Sequence, residues 1–172
     1  MKREDLNFTK VSVLDMQDVE QDIESLDEEA RKDHFWIKIT NTRYNFSLAL
    51  MILEKEKPAN WEAAKAWAAA AADGGRLGDR ICWITIYNAI HTAGLNELIE
   101  KLGGDPIRAV PYWTEDADED PRAWSKDEKG QSYAANAWFF YGTLGYLYNH
   151  NLRIYAYAAR VLRALPSGHS NP

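Results

Sequence analysis

A chain with one cysteine and four dispersed histidines has little from which to build a catalytic or metal centre. Cys82 stands alone, which excludes an intrachain disulfide, a multi-cysteine zinc site and two-thiol redox chemistry. It lies near a helix start, where the dipole lowers a thiol pKa. Its neighbours Ile81, Trp83 and Ile84 nevertheless mark it as a small buried hydrophobe. His34, His91, His150 and His169 share no ligand spacing, and His91 reads as a packed or capping side chain within a helix. The acidic run Glu115-Asp116-Ala117-Asp118-Glu119-Asp120 could gather calcium, yet it lacks the glycine turn and closing glutamate of the helix-loop-helix calcium motif. It is expected to be a solvated loop. The sequence contains no phosphate loop, dinucleotide fingerprint, paired-histidine zinc motif or nucleophile elbow. No catalytic residue, metal or cofactor is expected.

What the residues can do is bind. In Trp138 to Tyr157 (WFFYGTLGYLYNHNLRIYAY), eight of twenty residues are aromatic. Tyrosine offers a large amphipathic contact area with only two torsions to freeze, and with Asn, His and Arg it dominates binding loops. A hairpin that turned every second aromatic inward would use them as core instead. That accounts for Trp138, Phe140 and Leu147. It does not account for so many tyrosines beside Asn149, His150, Asn151 and Arg153. The expected contact residues are Phe139, Tyr141, Thr143, Tyr146, Tyr148, Asn149, His150, Asn151, Leu152, Arg153, Ile154 and Tyr155.

The rest of the chain must hold that segment in place. With 172 residues, 46% of them hydrophobic, the chain can bury roughly 70% of its unfolded surface in one domain without a metal or disulfide staple. Its net charge of −6 is unevenly spread: all 26 acidic residues lie between Glu4 and Glu128, and beyond Gln131 only Arg153, Arg160 and Arg163 carry formal charge. A sequence pI near 5.2 argues against binding nucleic acid by phosphate neutralisation. The alanine-rich run Ala63–Ala72 is too short to span a bilayer. No apolar stretch follows Met1-Lys2-Arg3-Glu4-Asp5, so no signal peptide is expected.

The patterns predict an α+β chain. Strands are expected over Thr9–Leu14, Phe35–Thr40 and Leu48–Leu53. Between the first two, Asp15 would cap a helix with Val19, Ile23, Leu26 and Ala30 on its apolar face. Asn60 would cap a helix presenting Trp61, Ala64, Trp67, Ala68 and Ala71, ended by Asp73-Gly74-Gly75. A second helical stretch begins near Asp79, carries Ile81, Ile84 and Ile90, breaks near Gly94 and stops at Gly103-Gly104. A short strand at Val110–Thr114 precedes a polar loop from Glu115 to Gly130. Strands at Ala137–Tyr141, Tyr146–Tyr148 and Tyr157–Leu165 follow, with turns at Gly142, Gly145 and Asn149–Asn151.

Five pieces occur in order: Asn60-Trp61-Glu62-Ala63-Ala64, Gly74-Gly75-Arg76-Leu77, Tyr112-Trp113-Thr114, Asn136-Ala137-Trp138 and Ala159-Arg160-Val161-Leu162-Arg163. Together, over roughly Leu48 to Leu165, they resemble the C-type lectin fold. The branch is that of bacterial collagen-like-protein C-terminal domains and of the variable proteins of diversity-generating retroelements. The resemblance implies two central helices packed on small antiparallel sheets. Residues 1–47 would belong to the same domain, and 48–172 would form a lectin-like core with a variable segment at 138–157. In that family a reverse transcriptase copies a template while misreading adenines, usually in AAC codons, and the copy replaces the end of the target gene. Trp, Met, Gln, Lys and Glu then cannot arise at diversified positions. Those five types fill 36 of 172 positions, so about four would fall between Phe139 and Tyr157 on the chain's own usage. None does. An ordinary aromatic hairpin could show the same absence.

The sequence departs from the family at Gly75, where relatives often carry Trp, and at Gly78-Asp79, where they often carry Pro-Thr. The disulfides and calcium–sugar tripeptides of animal C-type lectins are missing, so calcium-dependent sugar binding is not implied. The fold also carries the formylglycine-generating enzyme, whose chemistry relies on cysteine. The implied partner is a protein or surface ligand held by the variable segment, without nucleic acid or membrane insertion. The implied place is a virion tail or a cell surface. The oligomeric state is left open.

Overall fold

The computed structural model describes residues 6–31, 36–54, 58–117, 124–126, 132–134, 136–152 and 156–166. Alternating β-branched residues form β1 (Thr9–Leu14), which pairs antiparallel with the two-residue β2 (Glu20–Gln21) and with β3 (Trp36–Asn41). β4 (Phe46–Glu54) continues the sheet. Then come α2 (Trp61–Ala71), α3 (Arg80–Thr92) and α4 (Leu95–Lys101), after the single-turn α1 (Glu28–Arg31) upstream. β5 (Pro111–Ala117), β6 (Trp124–Lys126), β7 (Ser132–Ala134), β8 (Asn136–Tyr141), β9 (Tyr146–Leu152) and β10 (Arg160–Ala164) complete the chain order. The first sheet runs β10-β4-β3-β1-β2 and the second β5-β8-β9, while β6 and β7 form a separate ribbon. The fold is thus α+β with small antiparallel sheets. Because β10 returns beside β4, the part of the chain that forms the second sheet is flanked in sequence by strands of the first.

The expected cap at Asn60 is present, and the helix expected to begin near Asp79 is capped by that residue. The Asn60 side chain accepts from Ala63 N–H (2.9 Å) and Asp79 from Cys82 N–H (2.9 Å), each satisfying a donor that the first helical turn leaves open. α2 buries Trp61, Ala64 and Ala68 but leaves Ala71 exposed, and α3 buries Cys82, Trp83, Thr85, Ile86 and Ala89. Ile81 and Ile84, expected on the packed face, are exposed.

Three expectations fail for physical reasons. No helix spans Asp15 to Ala30. The Asp15 carboxylate instead accepts from Gln17 N–H (2.8 Å) and Val19 N–H (2.9 Å), Asp22 caps a 3-10 turn at Ile23–Ser25, and Asp27 accepts from Ala30 N–H (2.7 Å). Each aspartate offers the backbone a local acceptor that competes with helix continuation. The Glu115–Gly130 insertion is not simply a loop, since β5 runs to Ala117 and β6 pairs with β7. There Glu115 N–H donates to Gly78 O (2.8 Å), and Asp116 pairs with Arg80 (3.3 Å). Finally, Asn149–Asn151 is not a turn. It lies inside β9, whose ladder continues to the Asn136–Leu152 pair.

The main core joins Ile37, Ile39, Leu48 and Leu50 of the larger sheet to Trp83, Ile86, Ile99, Tyr112 and Phe140. A second cluster gathers Trp61, Ala64, Ala68, Leu77, Trp113, Phe139 and Val161 under α2. The smaller sheet therefore has an apolar cluster on each face.

Candidate binding surface

Alternation sorts the β8–β9 hairpin from Phe139 to Tyr148, beyond which a bulge on β9 between Tyr148 and Asn151 shifts the register. Phe140 pairs with Leu147, Phe139 with Tyr148, and Tyr141 with Tyr146. Side chains two apart share a face, so Phe139, Tyr141, Tyr146 and Tyr148 stand together, opposite Phe140 and Leu147. Phe140, 1% exposed, packs under α3 against Trp83 (ring centroids 5.8 Å) and Tyr87 (6.2 Å). On the other face exposure rises towards the turn and the outer strand, from Phe139 at 2% through half-buried Tyr141 to Tyr148 at 37% and Tyr146 at 56%.

Those four rings form a continuous array. Phe139 stacks on Tyr148 (5.5 Å) and meets Tyr141 edge-on (5.7 Å), while Tyr146 lies 6.1 Å from Tyr148. Phe139 is sealed from below by Trp113 (6.5 Å) and Tyr157 (5.2 Å). The expectation that Phe139 is an exposed contact is corrected: it is buried because those two rings, distant in sequence, close over it. Tyr146 and Tyr148 are exposed as expected, and Tyr141 and Thr143 are half-buried. Asn149, His150, Asn151 and Leu152 lie in β9. Arg153, Ile154 and Tyr155 lie outside the described residues. Of the expected scaffold, Phe140 is buried, whereas Leu147 and Trp138 are half-buried, with the Arg80 guanidinium 4.7 Å from the Trp138 ring.

The turn is fixed by close approach. A Cβ at Gly142 would sit 2.0 Å from Arg108 O, and Gly145 (φ +76°) would drive one against the Tyr87 ring at 2.7 Å. His91 Nε2 hydrogen-bonds Thr143 O (3.0 Å), tying the turn to α3. Gly142→Ala is expected to destabilise the fold by about 1–3 kcal/mol through this clash, read as a lower denaturant midpoint in urea unfolding.

Sequence reasoning missed the polar anchor behind this sheet. Tyr112 O–H donates to Glu54 Oε2 (2.9 Å) and its oxygen accepts from Arg108 N–H (3.1 Å). Arg108 also pairs with Glu54. Arg160, fully buried, reaches Glu54 (3.6 Å) and donates to the carbonyls of Asp105 (2.7 Å), Met51 (3.3 Å) and Ile52 (3.2 Å). Burial lowers the Arg160 guanidinium pKa and raises that of the Tyr112 phenol. The only sequence signal was the placement of both residues in the ordered motif set.

Cys82 is buried, and burial, reinforced by Asp79, pushes its thiol up to about 12. Alkylation needs the thiolate. Iodoacetamide at about pH 8 is therefore expected to leave the folded chain unlabelled and to label it once denatured, read by mass spectrometry. Among the described residues no three His, Cys, Asp or Glu side chains converge as metal ligands, and no helix is long and apolar enough to cross a membrane. A cavity of about 440 Å³ lies between β1 and α4 around Val11, Ile23, Leu98 and Lys101, and shares no residue with the hairpin. No protein-family model matches the chain, and no curated protein does either.

Proposed function

We propose that this chain is a C-type-lectin-like binding protein whose β8–β9 surface is diversified by a retroelement. It would recognise a protein or surface ligand at a virion tail or cell surface, and its mechanism is recognition, not catalysis. The observation that carries the reading is the division of the hairpin by face. Tyr146 and Tyr148 project from a backbone whose opposite face is locked under α3 through Phe140. A rigid backbone limits the ordering cost of binding, and side chains on the open face can change without disturbing the core. Helices α2 and α3 packed against antiparallel sheets, with α4 following α3, support the fold that the motif order suggested. So does the absence of Trp, Met, Gln, Lys and Glu between Phe139 and Tyr157.

A second reading, a binding domain of the same fold with a fixed sequence, is favoured by one observation: Phe139 is core, not contact surface. An enzyme of the formylglycine-generating type would need a reactive thiol, and the burial of Cys82 weighs against it. Sequencing the DNA around the gene separates the first two. Diversification predicts a near-copy of the coding region for residues 136–165, with AAC codons matching Tyr146 and Tyr148, beside a reverse transcriptase gene. A locus with neither would leave the fixed-sequence domain.

A further inference from the structure

We infer that the cavity between β1 and α4 is a binding site for a small amphipathic amine, separate from the hairpin surface. It measures about 440 Å³, within the range of about 300–1,000 Å³ typical of small-molecule sites. Its apolar lining continues the main core: Val13 is buried there, and Val11, Ile23, Ala93 and Leu98, all half-buried, pack against the same cluster. The local sequence keeps the space open. Gly94 turns the chain from α3 into α4 at φ +70°, a left-handed conformation that favours glycine. A Cβ built there would stand 3.8 Å from Glu97 Oε2, in ordinary contact and without a clash. Ala93 beside it is also short. The joint between the helices therefore turns without supplying a side chain large enough to fill the gap.

Charge selects the ligand class. The charged side chains on the lining are Asp22, Glu97 and Lys101, all exposed at the rim. The Lys101 ammonium is already held by Glu24 at 3.5 Å. One oxygen of Asp22 accepts from Glu24 N–H at 3.0 Å, which leaves its negative charge in place. The Glu97 side chain makes no ion pair or hydrogen bond among the described residues, and its Oε2 stands beside the Gly94 wall of the cavity. A carboxylate ligand would bring a third negative charge to this rim, whereas an ammonium meets two acids and a lysine that is occupied. The occupant that fits lays an apolar body against Val11, Ile23 and Leu98 and places a protonated amine at Glu97. The cavity shares no residue with the hairpin, so the inference does not depend on whether the hairpin is diversified.

Amide NMR titration of the full chain with hexylamine, hexanol and hexanoate tests it, because the three probes have similar apolar chains and differ in charge. Hexylamine is expected to give saturable shifts centred on Val11, Val13, Ile23 and the segment from Ala93 to Lys101. It should bind more tightly than hexanol, with hexanoate weakest. Glu97→Gln should weaken hexylamine by about two- to fivefold, the scale of one solvent-exposed ion pair, and leave hexanol unchanged. Lys101→Ala, which frees Glu24, should strengthen hexylamine. Ala93→Phe should fill the cavity and abolish binding of all three probes. If that variant fails to fold, the substitutions at Glu97 and Lys101 decide, since both side chains are exposed. Equal affinity for the three probes would overturn the inference, as would a preference for hexanoate. So would shifts that do not saturate or that centre elsewhere, or a Glu97→Gln variant that binds hexylamine as tightly as the unaltered chain.

Discussion

Replacing Arg160 with alanine is expected to remove about 3–5 kcal/mol of folding stability, the usual cost of deleting one member of a buried ion pair. A domain of this kind has about 5–15 kcal/mol in total. The guanidinium sits where β10, β4 and the segment leading to β5 converge, and donates to three main-chain carbonyls at 2.7–3.3 Å. Alanine would remove those hydrogen bonds and leave Glu54 to Arg108 and Tyr112. Arg160→Lys should recover little, because one ammonium cannot reproduce a planar fork that serves several acceptors. Guanidinium denaturation followed by circular dichroism measures both losses. A change below 1 kcal/mol for Arg160→Ala would mean that the network contributes nothing to holding the two sheets together.

Trp83→Ala is the second large effect, also about 3–5 kcal/mol, from lost burial and the cavity left behind. The Trp83 ring is fully buried, stacks on Tyr112 at 5.2 Å and Phe140 at 5.8 Å, and donates from Nε1 to Leu77 O at 2.9 Å. It is the contact by which α3 fixes the inward face of the hairpin. Hydrogen exchange should therefore show β8 and β9 amides losing protection more than those of β1 and β3, because the rings stacked on Trp83 are Tyr112 of β5 and Phe140 of β8, whereas Val13, Ile37 and Ile39 only share its core cluster. Equal loss in both sheets would show that Trp83 supports the whole core and has no particular role beneath the binding face.

Much of this was legible locally. Alternation marked β1, a short apolar run marked β4, and the cap at Asn60 and the helix start near Asp79 followed from short polar side chains ahead of apolar periodicity. Alternation also assigned Phe140 and Leu147 to the face opposite Tyr146 and Tyr148. What it could not give was depth. Phe139 and Tyr146 share a face, yet one is covered by Trp113 and Tyr157 and the other is open, and those covering rings arrive from remote segments. Arg160 likewise reads as a tail charge, and only the return of β10 to β4 puts it in the core. Residues Asp15 to Ala30 carry a helical apolar spacing that their aspartates override through local hydrogen bonds. Periodicity does not register that competition.

The central claim is that a fixed backbone presents an interchangeable face. A library in which single codons from Ala137 to Tyr148 are replaced by NNC, sorted by protease resistance and sequenced, tests it most directly. The account predicts that Tyr146 and Tyr148 accept the residue types that NNC encodes other than proline without loss of fold, while Ala137, Phe139 and Phe140 reject most of them. Intolerance at Tyr146 and Tyr148 equal to that at Phe140 would contradict it, and would make the tyrosine face part of the core.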